Sequence, residues 1–218
     1  MKKDLERRSY QFEVRAERRD DGISTISGTP IVYNSFTDIG GMFREVIEPG
    51  ALIGANLKDV PLLVNHNDRM IPIARSRNNT PNSTMRLTVT DNGLDFEADI
   101  DTENNMTARE LASAIERYDV SGMSFAFSVD DEEWEGLESD YPTRHIRKLG
   151  TIAEVSAVTW PAYSATSIYA RSKEALDNAR SALESARQQN AKSLESDNQE
   201  IALLKQKIKI IGGYLDYE

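Results

Sequence analysis

Alternating apolar and polar positions predict that most of this chain is β-structure. Thr84 to Thr90 and Leu94 to Ile100 both alternate, and Asp91-Asn92-Gly93 joins them. Asn-Gly between two alternating segments is a strong hairpin signal. Runs rich in β-branched and aromatic residues at 60–64, 120–129 and 151–160 predict further strands. The pattern therefore indicates a mainly β fold with peripheral helices, arranged as a small barrel or barrel-like sheet.

Two segments show helical periodicity. Thr107 to Tyr118 predicts an amphipathic helix with Thr107 as its N-cap. Residues 171–218 contain no proline and carry two apolar sets that are out of phase, namely Leu176, Ala179, Leu183 and Ala186, then Leu194, Ile201, Leu204, Ile208 and Ile211. Two interpretations stay open: two helical pieces with a weak polar joint, the second being a docking or coiled-coil helix that ends at Gly212-Gly213, or one long frayed tail.

The chain thus divides into three parts. Residues 1–9 are charged and predict a flexible N-terminal arm, residues 10–170 predict one β domain, and residues 171–218 predict a helical tail.

Composition narrows the function classes. A net charge of −10 argues against a general nucleic-acid binder, and no apolar run approaches the roughly 18 residues of a membrane span. The chain has no cysteine and only two histidines, so only carboxylates remain to complete a metal site. With no phosphate-cradling or dinucleotide motif, we expect neither a metal nor a cofactor.

Three predicted strand segments contain candidate catalytic residues. His66 follows an apolar run and is either a general base or a histidine that satisfies a hydrogen bond at a strand end. Ser124 shares one strand face with Ala126 and Ser128, while Met123, Phe125, Phe127 and Val129 share the other. A serine nucleophile needs a base within reach and a third group that orients the base. Glu154 fits that third role, unless it points outward or pairs with Arg147 or Lys148.

Taken in order, these segments resemble a caudovirus prohead protease of the HK97 type over roughly residues 10–170. The matching segments are Gly28-Thr29-Pro30-Ile31-Val32-Tyr33-Asn34, Phe43-Arg44-Glu45-Val46-Ile47-Glu48-Pro49-Gly50-Ala51-Leu52, Leu62-Leu63-Val64-Asn65-His66-Asn67, Gly93-Leu94-Asp95-Phe96-Glu97-Ala98, Ser124-Phe125-Ala126-Phe127 and Glu154-Val155-Ser156-Ala157-Val158-Thr159-Trp160-Pro161-Ala162.

The resemblance implies a serine endopeptidase with an assemblin-like β-barrel. It implies Ser124 as nucleophile, His66 as general base and Glu154 as the third member, with His145 and then Asp68 as alternatives. The enzyme would cut the scaffold portion of the major capsid protein, and then itself, inside the viral procapsid in the host cytoplasm. Self-association is left open.

Two further hypotheses concern the tail and a different class of function. The Lys192-Ser193 bond lies in the polar joint of the tail and is predicted as a self-cleavage site. The main alternative to a protease is a non-enzymatic capsid assembly factor that uses the tail as scaffold. An unrelated hydrolase of small esters is a third option, although the chain lacks a Gly-x-Ser-x-Gly elbow and the strand–helix alternation of an α/β-hydrolase.

Overall fold

The computed structural model describes residues 5–10, 14–19, 21–159 and 173–215. Their elements, in chain order, are β1 Glu6–Tyr10, β2 Val14–Arg18, β3 Ile23–Val32, β4 Thr37–Ile39, β5 Phe43–Ile47, β6 Val60–Val64, β7 Ala74–Ser76, β8 Met85–Thr90, β9 Gly93–Asp101, α1 Met106–Glu116, β10 Gly122–Glu135, β11 Thr143–Val158 and α2 Lys173–Leu215. The predicted mainly β fold with peripheral helices is confirmed.

The strands form two sheets rather than one. The larger sheet has seven strands in the order β1-β10-β11-β5-β4, with β6 on β11 and β7 on β6, and the smaller has the order β2-β3-β9-β8. Over the described residues neither sheet closes into a barrel, which corrects the barrel arrangement expected from the sequence. Apolar side chains from the two sheets, including Ile26, Phe96, Phe125 and Phe127, form one shared core.

Strand β11 organises the larger sheet because it is long enough to contact three neighbours. It pairs with β10 along its length, with β5 through residues 143–146 and with β6 through residues 155–157. His145 and Glu154 therefore lie on one strand.

The predicted hairpin is confirmed as β8 and β9, which pair from Met85↔Ala98 to Thr90↔Gly93. Gly93 has a φ of +148°, and a Cβ there would lie 1.9 Å from the carbonyl oxygen of Ile31. Glycine is therefore required where β3 passes close to the turn.

Helix α1 packs Ala108, Leu111, Ala112 and Ile115 into the core, as the periodicity predicted. Its N-cap is Asn105, whose side chain accepts a hydrogen bond from the Ala108 amide, so Thr107 as N-cap is wrong. Asparagine is among the strongest N-cap residues, and the register of the helix follows it.

Helix α2 runs without a break from Lys173 to Leu215, so that of the two open interpretations the one with a weak joint around residues 188–198 is wrong. Its first part is anchored, because Ala179 and Leu183 join a small apolar cluster with Ile39 and Phe43. Further along, Leu194, Ile201, Leu203 and Leu204 are about half exposed. Polar residues in a solvent-exposed helix do not interrupt its backbone hydrogen bonds, so polarity was a poor signal for a break.

The N-terminal arm is also corrected, because residues 6–9 belong to strand β1 at the edge of the larger sheet. Arg8 is 2% exposed, and its guanidinium contacts Glu45 at 2.6 Å and Glu6 at 2.7 Å. Charges that predicted a solvated arm are instead paired inside the fold.

Candidate active site

His66 is positioned by a tight turn at the end of β6. Asn65 and His66 have φ angles of 51° and 59°, a left-handed conformation that is uncommon for residues other than glycine. Asn65 holds this turn against β11, since its amide donates to the Ala157 carbonyl at 2.9 Å and its side chain hydrogen-bonds Thr159 at 3.0 Å. The turn brings the imidazole back over β11.

Glu154 receives that imidazole. The Nδ1 atom of His66 lies 2.6 Å from Oε1 of Glu154, and the Ser156 hydroxyl donates to Oε2 of the same carboxylate at 2.5 Å. Because a carboxylate accepts hydrogen bonds, this contact favours the tautomer with the proton on Nδ1. Nε2 is then the basic nitrogen, as a general base requires.

Ser124 lies in a row of three serines across neighbouring strands. It pairs with Ser156 on β11 and with Ser9 on β1, so that the three side chains share one sheet face. Glu154 is on this face too, since its partner Ala126 is two residues from Ser124. The candidate nucleophile is therefore one strand away from the His66–Glu154 pair.

The hydroxyl of Ser124 is occupied by β1. It donates to the Arg8 carbonyl at 2.7 Å and accepts from the Ser9 hydroxyl at 2.8 Å, and Ser124 is 0% exposed. The structure thus brings His66 and Glu154 into contact and places Ser124 beside them, while the hydrogen bonds of the Ser124 hydroxyl go to β1.

The alternative third members lie elsewhere. Nδ1 of His145 is 2.6 Å from Glu48, and its Nε2 is 3.4 Å from Glu135. The amide of Asp68 donates to the His66 carbonyl at 3.0 Å, so Asp68 belongs to the turn that follows His66. Of the three candidates, Glu154 is the one whose carboxylate meets the His66 ring.

A comparison with protein families identifies the family of the chain. A model of the caudovirus prohead serine proteases matches residues 10–180. The chain belongs to this family. The resemblance seen in the sequence is confirmed, and the matched segment contains Ser124, His66 and Glu154. No match was found among curated proteins or among solved structures.

The far face of the same strands holds an ionic cluster that the sequence did not indicate. It consists of Glu6, Arg8, Glu45, Glu132 and Arg144. Burial would raise the pKa of Glu6, but the nearby charges of Arg8 and Arg144 and the hydrogen bonds from both lower it to about 2. The members come from four separate strands, so no local motif could have revealed the cluster.

Ser9 and Ser156 were also missed as neighbours of Ser124. Ser156 has a partial signal in the sequence, because it stands two residues after Glu154 and therefore on the same strand face. Ser9 has none, because its strand was predicted to be an arm.

Proposed function

We propose that this prohead protease chain is a serine endopeptidase in which Ser124 is the nucleophile, His66 the general base and Glu154 the group that orients the base. The observation that carries the proposal is the 2.6 Å contact between Nδ1 of His66 and Glu154, beside a strand that presents Ser124 on the same face. A histidine held in this way needs only a serine near Nε2 to complete a triad.

The reaction follows from these positions. Nε2 of His66 takes the proton of Ser124 as its oxygen attacks the carbonyl carbon of the scissile peptide bond. The imidazolium, stabilised by Glu154, then gives that proton to the leaving amine and leaves an acyl group on Ser124. Water activated by His66 hydrolyses this ester. Before the attack, the Ser124 hydroxyl has to exchange its bonds with Ser9 and Arg8 for one with His66.

Ser156 supports Glu154 rather than the substrate. Its hydroxyl binds the carboxylate oxygen that faces away from His66, and the Glu154 side chain is only 9% exposed. A carboxylate held on both oxygens keeps its geometry as charge develops on the imidazole.

The proposed substrate is the scaffold portion of the major capsid protein inside the procapsid, followed by the chain itself. Support comes from the family, whose members act at the viral prohead. The proposed self-cleavage bond, Lys192-Ser193, is exposed but lies within α2. A peptidase acts on extended backbone, so this bond would be cut only after the helix unwinds locally.

A non-enzymatic capsid assembly factor is the second candidate. The exposed leucines and isoleucine on α2 favour it, because an apolar stripe on a solvent-exposed helix suits binding to another helix. Under this alternative the His66–Glu154 pair would only stabilise the turn after β6.

The two candidates are separated by co-expressing the chain with its capsid protein and measuring intact masses. We expect the wild type to shorten the capsid protein and the Ser124→Ala chain to leave it whole. An unshortened capsid protein with the wild type supports the assembly factor. Equal shortening with both chains would show that another protease is responsible.

A further inference from the structure

Strand β1 lies where a polypeptide substrate has to approach. Ser124 is 0% exposed, and two of its hydrogen bonds are to Arg8 and Ser9 on β1. With β1 in place no substrate carbonyl can reach the Ser124 oxygen. Most of β1 also precedes the family match, which begins at residue 10.

The geometry of β1 is that of a peptide added to the edge of a sheet. It is the last strand on its side of the larger sheet and runs antiparallel to β10 from Glu6↔Phe127 to Tyr10↔Met123. Extended peptides bind sheet edges in this manner, with main-chain bonds for affinity and alternate side chains in pockets. The Arg8 carbonyl, 2.7 Å from the Ser124 hydroxyl, stands where a carbonyl of a bound peptide would meet the nucleophile.

The pocket under β1 selects a basic side chain. Nε and Nη2 of Arg8 donate to the two oxygens of Glu45 at 2.6 and 2.7 Å, and the guanidinium lies 5.5 Å from the centre of the Phe127 ring. Without β1, the buried Glu45 loses both hydrogen bonds from Arg8 and keeps its contact with Arg144 at 2.9 Å, a guanidinium that Glu132 also contacts. One basic side chain from an incoming segment replaces the lost partner of this buried carboxylate.

We propose that β1 is an intramolecular stand-in for the substrate: the edge of β10 binds an extended polypeptide segment, Glu45 takes a basic side chain next to the residue that faces Ser124, and β1 has to leave first. This inference rests on the proposed function, because it takes Ser124 as the nucleophile. It adds that the substrate carries a basic side chain, and that the site is closed as long as β1 occupies the edge of β10.

The test is the rate at which a fluorophosphonate probe labels Ser124 in the full chain. Arg8→Met keeps an aliphatic side chain but removes the charge that binds Glu45, whereas Arg8→Lys keeps the charge. Arg18→Met is the matched control, since Arg18 on β2 forms an exposed ion pair with Glu116 on α1. Ser124→Ala reports labelling at other sites. If Arg8→Met loses the near-ultraviolet circular dichroism of the fold, Glu6→Gln replaces it, because it weakens the same anchor.

We expect Arg8→Met to be labelled at least about tenfold faster than the wild type. Loss of a hydrogen bond to a charged group shifts the equilibrium between paired and dissociated β1 by that factor or more. Arg8→Lys should stay closer to the wild type, and Arg18→Met should equal it. Equally fast labelling of the wild type and Arg8→Met would overturn this inference alone. No labelling of Ser124 in any chain would overturn the proposed function with it.

A separate experiment tests whether Glu45 selects a basic side chain. A synthetic peptide of residues 5–10 is added to the Arg8→Met chain, and the same peptide with methionine in place of Arg8 is the control. The arginine peptide should slow labelling of Ser124 and the methionine peptide should not. Equal effects of the two peptides would overturn the role of Glu45.

Discussion

The two histidines of this chain make nearly the same contact in two different settings. Nδ1 of His66 lies 2.6 Å from Glu154, and Nδ1 of His145 lies 2.6 Å from Glu48. Both histidine side chains are 23% exposed. The carboxylates differ: Glu154 is 9% exposed and also binds the Ser156 hydroxyl, whereas Glu48 is 34% exposed.

The surroundings of the second ring nitrogen separate the pairs further. Nε2 of His145 lies 3.4 Å from a second carboxylate, that of Glu135. Beside His66, the neighbouring strands present a row of serines instead. A histidine–carboxylate contact alone therefore does not make a serine protease site. A buried carboxylate and a hydroxyl near the other nitrogen are also needed.

Removing each histidine in turn should give the largest difference between the two pairs. His66→Ala should lower the rate of capsid-protein cleavage by roughly 10⁴-fold or more, because Ser124 loses its base. His145→Ala should stay within about twofold of the wild type, as expected for a partly exposed ion pair. The measurement is the cleavage rate with purified chains; equal losses would mean that the pairs do not differ in function.

The carboxylates give the next largest contrast. Glu154→Gln should lower the cleavage rate by about 10³- to 10⁴-fold, because an amide can hold the imidazole in the wrong tautomer. Glu48→Gln is the matched control and should leave the rate nearly unchanged. A chain with Glu154→Gln that cleaves as fast as the wild type would remove Glu154 from the site.

The serine row that distinguishes His66 depends on β1, which Glu6 helps to hold. Glu6 has a pKa of about 2 in the folded chain against 4.5 ordinarily, so its contribution is present above pH 4.5 and is lost as the pH falls towards 2. At pH 6, Glu6→Gln should lower the free energy of unfolding by up to about 3 kcal/mol.

Urea unfolding at pH 6, 4 and 3 measures this effect. The difference between the wild type and Glu6→Gln should shrink as the pH falls. Glu116→Gln, which removes an exposed partner of Arg18, is the control and should have little effect at any of these pH values. A difference that stays constant with pH would contradict the role of Glu6.

The smallest expected effect comes from Ser156, which supports the buried carboxylate. Ser156→Ala should slow cleavage by about tenfold, since a hydrogen bond to a charged group is lost. Ser128 is the matched control: it is buried on β10, and its hydroxyl accepts from the Thr151 amide at 3.1 Å. Ser128→Ala should lower stability but leave the cleavage rate near that of the wild type; equal slowing would point to a general packing effect.

Local sequence patterns predicted much of the fold. Alternation and the Asn-Gly signal predicted β8 and β9, and the alternate faces of β10 placed Phe125 and Phe127 in the core. Ser124, His66 and Glu154 were singled out in the sequence because each stands on a strand or directly after one, and their catalytic roles stay a prediction. The contact between His66 and Glu154 was a hypothesis, since the two lie 88 positions apart.

What escaped prediction depended on distant partners. The charges of Glu6 and Arg8 predict solvent exposure unless Glu45 and Arg144 are known to meet them, and those partners lie far away in the chain. The continuity of α2 was left open for another reason, because polar residues in an exposed helix look the same as a polar joint. The N-cap was missed by two residues, as both Asn105 and Thr107 are residues that cap helices.

The role of Ser124 as nucleophile is tested by finding which serine of the row (Ser9, Ser124 or Ser156) reacts. The wild type is incubated with a fluorophosphonate probe until labelling is complete, and the modified residue is located by peptide mass mapping, with His66→Ala as the comparison. We predict a single adduct on Ser124 in the wild type and none in His66→Ala. An adduct on Ser9 or Ser156, or equal labelling of Ser124 without His66, would contradict the account.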